Sequence, residues 1–251
     1  MRISRDKLEL MVDWIRFIIF PEYAEKPTYG SGEESIADIL TEQIQVIPDI
    51  KDVKSIVDDF LESLPEISRL LWTDAKAVMH NDPAVKSMAE VVICYPVISV
   101  MLHYRTAHCL HQLGVPVLPR VLTEIAHSDT GVDIHPAAEI GEYFAIDHGT
   151  GIVVGATSII GNHVMLYQGV TLGAKNFSYD AEGQPIDKPR HPILEDNVTV
   201  YSNASILGRV RIGHDTIVGG NVWLTHDVAP HSRVLQGRTI EERYFSDGEG
   251  I

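Results

Sequence analysis

Aliphatic side chains recur at every sixth residue through most of the second half of the chain. The repeat runs through Ile134, Ile140 and Ile146, then Val154, Ile160, Leu166 and Leu172, then Leu194, Val200, Ile206, Ile212, Val218 and Leu224. This period fits neither an α-helix nor a β-hairpin. It is typical of a coil with three short parallel strands in each turn of about eighteen residues. The alternative, a β-sandwich, is disfavoured because its strands alternate with a period of two.

Two interruptions break this repeat. The register slips by two residues at 147–151, and a longer polar segment at 173–191 leaves the coil before the repeat resumes. Segments that leave a rigid scaffold are where binding and catalytic residues usually lie. We therefore expect 173–191 to protrude as a loop, and we expect both interruptions to carry functional residues.

The first half of the chain has the pattern of amphipathic helices instead. Apolar residues at helical spacing are Leu8, Met11, Val12, Ile15, Ile18 and Ile19; Ile36, Ile39, Leu40 and Ile44; and Val53, Ile56, Val57, Phe60 and Leu61. Pro65 and the pair Asp82-Pro83 are typical of helix starts. Two more helices are predicted at 97–113 and 116–127.

The helical pattern ends at 128–131, where turn-forming residues precede the six-residue repeat. We predict an all-α N-terminal domain at 1–130 followed by a parallel β-helix, a β-solenoid, at 131–238. The remaining residues, 239–251, are polar and are predicted to form a flexible C-terminal tail.

The charge balance excludes two classes of partner. The chain has 35 acidic and 20 basic residues, a net charge of -15. Nucleic-acid binding needs clustered Lys and Arg to neutralise phosphates, and docking on an anionic membrane needs a basic surface. We therefore expect neither a nucleic acid nor a membrane as a partner.

The remaining composition indicates a soluble, cytoplasmic protein. The N-terminus lacks the apolar core of a signal peptide, and the longest nearly apolar run, 91–102, is too short to span a bilayer. Cys94 and Cys109 lie in apolar helical patterns without metal-ligand spacing, so we expect two buried, reduced thiols.

Four motifs in the repeat half carry a resemblance to a known family. They are VDIHPAA at 132–138, DHGTGIVVG at 147–155, QGVTLG at 168–173 and RHP at 190–192. Together with DPAV at 82–85 in the helical half, they closely resemble the serine acetyltransferases. The resemblance implies a left-handed coil, and it implies homotrimers, with active sites between adjacent coils, that often pair into hexamers.

The reaction implied by this resemblance moves acetyl from acetyl-CoA to the L-serine hydroxyl and gives O-acetylserine for cysteine biosynthesis. A hydroxyl is a weak nucleophile at neutral pH and needs a general base, for which histidine is suited. His148 matches the family's base, and Asp133 matches the carboxylate that orients it. From the residues alone, His148 could equally belong to a structural turn, and Asp133 could cap the first turn of the coil.

Serine is a zwitterion, so its site needs carboxylates for the amine and cations for the carboxylate. Asp82 and Asp147 match the family's amine-binding residues, while Arg190 and His191 match its carboxylate-binding residues. Arginine can grip a carboxylate through two parallel hydrogen bonds. For Asp82, capping of a helix is an alternative role that could coexist with substrate binding.

The acetyl-CoA side departs from the family pattern. The family's second glycine after Gly173 is replaced by Ala174, the loop is longer, and Tyr201 and Ser202 stand where small residues are usual. The candidate donor-binding residues are Gly173, Ala174, Ser202 and Gly220, and a backbone N–H near Ala174 is expected to polarise the thioester carbonyl. No metal is expected.

The C-terminus and the serine site suggest two further ligands. The tail ends in Ile251 and resembles the family's acidic tail, which inserts into O-acetylserine sulfhydrylase; a frayed terminus is the alternative. Because cysteine differs from serine by one atom, L-cysteine is expected to bind the serine site as a feedback inhibitor.

Three other functions remain open at this point. A related acetyltransferase for a sugar, an antibiotic or homoserine would share the coil without needing the serine-binding set. A metal-dependent lyase on the same coil would need three converging histidines. A catalytically silent scaffold would use the coil only for trimerisation.

Overall fold

The computed structural model describes residues 2–176, 179–180, 182–184, 186 and 188–237. Six helices come first: α1 Arg5–Ile19, α2 Gly32–Gln45, α3 Val53–Asn81, α4 Met88–Cys94, α5 Pro96–Gln112 and α6 Leu118–Thr130. Their apolar stripes form one core, in which the largest fully buried side chains are Trp14, Phe20, Phe60 and Tyr104. None of the described helices combines the length and apolar character that crossing a membrane requires.

Two predicted helix starts are wrong. Pro65 lies inside α3, because its buried neighbours Leu64 and Ile67 pack in the core and outweigh the proline's missing N–H. Asp82 follows the last residue of α3, and α4 begins after Ser87, whose hydroxyl accepts a hydrogen bond from the Glu90 N–H.

The expectation of two buried thiols is half wrong. Both cysteines are free, but Cys94 ends the short helix α4 and is exposed. Cys109 is partly buried, and its Sγ lies 3.0 Å from the Ser63 hydroxyl oxygen.

The predicted parallel β-helix is confirmed, and it is left-handed. Its strands are β1 Asp133–Ile134, β2 Glu139–Ile140, β3 Ala145–Asp147, β4 Val153–Val154, β5 Ile159–Ile160, β6 Met165–Tyr167, β7 Thr171–Gly173, β8 Ile193–Leu194, β9 Thr199–Val200, β10 Ser205–Leu207, β11 Arg211–Ile212, β12 Ile217–Val218, β13 Trp223–Leu224 and β14 Arg233–Val234. Sheet A contains β1, β4, β7, β10 and β13; sheet B contains β2, β5, β8 and β11; sheet C contains β3, β6, β9, β12 and β14. The repeated aliphatic residues stack in register along each sheet.

Three corners join the sheets, and we name each by the sheets that it connects: A–B, B–C and C–A. At two of them the backbone is left-handed on successive turns, a conformation that favours Gly, Asn and Asp. The C–A column is Gly131, Gly151, Gly169, Asn203 and Asn221, and the B–C column is Tyr143, His163, Asn197, Asp215 and His231. These columns bring residues far apart in sequence into contact along the coil.

A buried ion pair fixes the helices to the first turn of the coil. Arg105 on α5 donates to both carboxylate oxygens of Asp74 on α3, at 2.7 and 2.9 Å. Arg105 also donates to the Gly141 carbonyl at 2.8 Å, and the Phe144 N–H donates to Asp74 at 3.1 Å. Because both charges are buried and hydrogen-bonded, they hold the end of α3 in a fixed position beside the coil.

Candidate active site

The predicted base, His148, lies at the C–A corner, where the register slips between β3 and β4. Its backbone is left-handed, with φ 57°, as it is at other corner residues of the coil. The side chain is 71% exposed, and its Nδ1 lies 3.5 Å from the Asp147 carboxylate. His148 is therefore presented to a ligand instead of being packed in the coil.

Asp82 faces this corner from the end of α3. One carboxylate oxygen accepts a hydrogen bond from the Ala84 N–H at 2.8 Å, and the other accepts one from the Tyr95 hydroxyl at 2.5 Å. The Tyr95 hydrogen bond is the main reason that the pKa of Asp82 lies below its ordinary value. The same contact raises the pKa of Tyr95 to about 12. Asp82 is thus held as an anion in one orientation.

Within one chain, the carboxylates of Asp82 and Asp147 lie close to His148. Asp82 is close enough to His148 for the imidazole to lower its pKa, and Asp147 acts on the pKa of Tyr95. The pKa of Tyr167, on the next turn, is also raised. Burial is the main cause, and the carboxylates of Asp147 and Asp82 add to it. The C–A corner therefore combines a histidine with two carboxylates, which suits an acceptor that carries an ammonium group.

Arg190 and His191 lie at the A–B corner, on the opposite edge of sheet A. The Thr157 hydroxyl oxygen accepts from the backbone N–H groups of Arg190 and His191, at 2.9 and 3.1 Å. The Thr157 hydroxyl can therefore donate its own proton to Nδ1 of His191, 2.9 Å away. Thr157 thus fixes the end of the long loop against the coil.

His191 is a neutral donor at pH 7. Its side chain is buried, and burial is the main cause that lowers its pKa to about 4, with Arg190 and His135 adding to the effect. Since Nδ1 accepts from Thr157, the remaining proton is on Nε2. The ring lies over Gly155, where an added Cβ would come within 2.1 Å of Nε2. A neutral imidazole beside a guanidinium suits a carboxylate ligand.

Asp133 does not meet His148 within one chain. It lies on sheet A, and its carboxylate accepts from Arg120 on α6 at 3.1 Å. Arg120 also pairs with Glu124. Among the described residues, no hydrogen bond or ion pair joins Asp133 to His148, so a single chain leaves the expected pair unmade.

The candidate donor-binding residues are also split between the two corners. Gly173 ends β7, and Ala174 begins the loop at the A–B corner. Ser202 and Gly220 lie at the C–A corner on successive turns, where an added Cβ at Gly220 would lie 3.1 Å from the Ser202 carbonyl. These residues therefore lie along the same two edges of sheet A as His148 and Arg190.

Comparison with known proteins identifies the family. The hexapeptide transferase model, "Bacterial transferase hexapeptide (six repeats)", matches residues 191–226. A plasmid serine acetyltransferase of Synechococcus elongatus is 39% identical over 99% of this chain and 86% of that protein. The chain belongs to the serine acetyltransferase family.

Solved structures of the family have the same fold. Serine acetyltransferase isoform 3 of Entamoeba histolytica, in complex with cysteine, aligns with a TM-score of 0.83 at 29% identity, over 98% of this chain and 85% of that one. The Neisseria gonorrhoeae enzyme, in complex with serine, gives a TM-score of 0.65 at 28% identity, over 90% of this chain and 95% of that one.

Three residues of this family member were missed in the sequence. Tyr95, Thr157 and Arg120 each hold a predicted site residue through one or more hydrogen bonds. Thr157 lies at a coil corner and Arg120 on an amphipathic helix, where polar residues are common. The only sequence signal was for Tyr95, which precedes the proline that opens α5.

Replacing Tyr95 with phenylalanine is expected to raise KM for serine about three- to tenfold and to change kcat little, because one hydrogen bond to a charged group is lost. The acid limb of the kcat/KM profile should move to higher pH, since the pKa of Asp82 rises when that bond is removed. Steady-state kinetics across pH measure both effects. Tyr29→Phe, at an exposed tyrosine of the helical domain, is the control; a Tyr95→Phe profile identical to this control would contradict the role.

Proposed function

We propose that this serine acetyltransferase carries out its reaction at a composite site, formed where the C–A corner of one chain meets the A–B corner of a second chain. The observation that carries the proposal is the split itself. One chain holds an ammonium-binding half with His148 and, on the other edge of sheet A, a carboxylate-binding half with Arg190. L-Serine needs both halves. Closed trimers in which each coil packs against the next would join them three times.

In this arrangement each polar group of serine has a partner. Asp82 and Asp147 bind the ammonium group, and Arg190 with the Nε2–H of His191 binds the carboxylate. These contacts place the hydroxyl at His148, which takes its proton as the oxygen attacks the acetyl carbonyl. We propose that Asp133 from the adjoining chain stabilises the imidazolium that forms.

The acetyl donor fits the groove between the two coils. Gly173 and Ala174 would line it from one chain, and Ser202 and Gly220 from the other. Attack converts the thioester carbonyl to an oxyanion, which a backbone N–H near Ala174 would stabilise. Collapse of this intermediate expels the CoA thiolate, which takes up a proton, and O-acetylserine is released.

Four further proposals concern the inhibitor, the pathway, the partner and the cellular location. A relative's structure contains cysteine, which supports L-cysteine as an inhibitor that competes for the serine groups in this chain. O-acetylserine formed here would enter cysteine biosynthesis. The contact of Ile251 with the sulfhydrylase stays a prediction, because the whole of the predicted tail, 239–251, lies outside the described residues. The free thiols support a cytoplasmic location.

An acceptor screen tests this function. Initial rates of CoA release from acetyl-CoA should be highest with L-serine and much lower with L-homoserine, serine methyl ester and sugars. Serine methyl ester is the sharpest comparison, because it keeps the hydroxyl and the amine but lacks the anionic carboxylate. A rate with the ester or a sugar equal to that with L-serine would reject the assignment of the Arg190 half.

A further inference from the structure

The B–C corner holds a second cluster of chemically active side chains, away from both halves of the acetyl-transfer site. His214 and Asp215 lie in the turn between β11 and β12, and His231 lies in the turn before β14. Strands β12 and β14 pair in register, so the two turns are neighbours in the coil. The three residues offer two imidazole nitrogens and one carboxylate oxygen within 4.8 Å of one another.

The carboxylate lies between the two rings. Oδ2 of Asp215 is 2.7 Å from Nδ1 of His214 and 3.6 Å from Nδ1 of His231. A divalent metal with ligand bonds near 2.05 Å in a tetrahedron separates its donor atoms by about 3.3 Å. The two distances fall on either side of that value, and the two imidazole nitrogens lie within 4.8 Å of each other, so the three donors are already near the separations that a metal needs.

The surroundings already hold these donors in place. The other oxygen of Asp215 accepts a hydrogen bond from the Asn197 amide at 3.0 Å, which directs Oδ2 toward the rings. The His231 N–H donates to the His214 carbonyl at 2.9 Å, which fixes the two backbones relative to each other. Glu195 accepts from the His214 N–H at 3.0 Å. Such outer contacts are typical of the second layer around bound metals.

We propose that His214, Asp215 and His231 bind one first-row divalent transition metal, such as Zn²⁺ or Co²⁺. The site joins the last two turns of the coil. Two imidazoles and one carboxylate favour these metals over Mg²⁺ and Ca²⁺, which prefer oxygen donors. The side chains of His214, Asp215 and His231 are 45%, 42% and 71% exposed, which leaves room for water as the fourth ligand.

Metal binding changes the histidine tautomers and needs no other reactant. In the metal-free chain, the Nδ1–H of His214 can donate to Asp215. In the metal-bound chain, Nδ1 of each ring binds the metal, and each neutral ring carries its proton on Nε2. The bond to the metal replaces the hydrogen bond. Because β14 has a paired strand on one side only within the described part of sheet C, a metal here would stabilise the end of the coil.

Equilibrium dialysis of the full-length chain without a histidine tag tests the proposal, with Zn²⁺ alone and then with Co²⁺ alone. One metal per chain is expected, and the Co²⁺ form should show visible d–d absorption. His214→Ala and His231→Ala should lose both signals. Asn197→Ala should weaken binding about tenfold or more, as outer-layer variants do. His226→Ala, at an exposed histidine of the same region, should bind like the unaltered chain.

A second readout follows the end of the coil. Zn²⁺ should raise the melting temperature of the unaltered chain and of His226→Ala, and it should leave His214→Ala and His231→Ala unchanged. Acetyl transfer should not depend on this site. Metal binding that survives in both histidine variants, or no more binding by the unaltered chain than by those variants, would overturn the proposal and show a hydrogen-bonded cluster only.

Discussion

Replacing His148 with alanine is expected to lower kcat for acetyl transfer to serine by about 10²- to 10⁴-fold, the usual contribution of a general base. The serine hydroxyl would then have no group at the C–A corner to accept its proton. KM for serine and acetyl-CoA should change much less, since Asp82, Asp147 and Arg190 remain. Steady-state kinetics with both substrates varied separate the two effects.

Two features make this test specific. His148 is largely exposed and lies in a register slip, so its loss should not unfold the coil. His226→Ala, which removes another exposed imidazole from the coil, is the matched control. A His148→Ala enzyme within a fewfold of that control would show that another group removes the proton.

Replacing Arg190 with glutamine is expected to raise KM for serine about tenfold to a hundredfold, because a charge-assisted pair with the substrate carboxylate is lost. KM for acetyl-CoA should stay within a few fold. His191 should remain in place, because Thr157 and Arg209 hold it through the backbone and Nδ1.

The control for this variant is Arg211→Gln. Arg211 is an exposed arginine at the start of β11 in sheet B, where it pairs with Glu195. Its removal should leave both KM values unchanged. Equal effects of the two substitutions on KM for serine would mean that Arg190 acts through general charge alone.

The coil could be predicted from sequence because every short strand needs one aliphatic residue that points inward, and this need recurs every six residues. Ile134, Val154 and Leu172 stack in register, as their spacing indicates. The helix start predicted at Pro65 is wrong because its position depends on tertiary packing. A local helix-start signal competed with core packing that no short window of sequence reveals, and the packing prevailed.

The motifs predicted a role for each site residue, and the resemblance implied active sites between adjacent coils. Motif spacing by itself does not place His148 and Arg190 on opposite edges of sheet A, because that placement depends on where the corners of the coil fall. The spacing also hid the B–C cluster. His214 and His231 are 17 residues apart, and they become neighbours only because the coil returns to the same corner after one turn.

Coexpressing two variants with complementary defects tests the composite site most directly. His148→Ala and Arg190→Ala chains, coexpressed in equal amounts, should form trimers in which some interfaces pair an intact C–A corner with an intact A–B corner. Random assembly makes about one interface in four intact, so the mixture should recover about a quarter of the unaltered rate at limiting serine, although each variant alone has little activity. If the mixed trimers show only the average rate of the two variants, His148 and Arg190 act within one chain and the composite site is wrong.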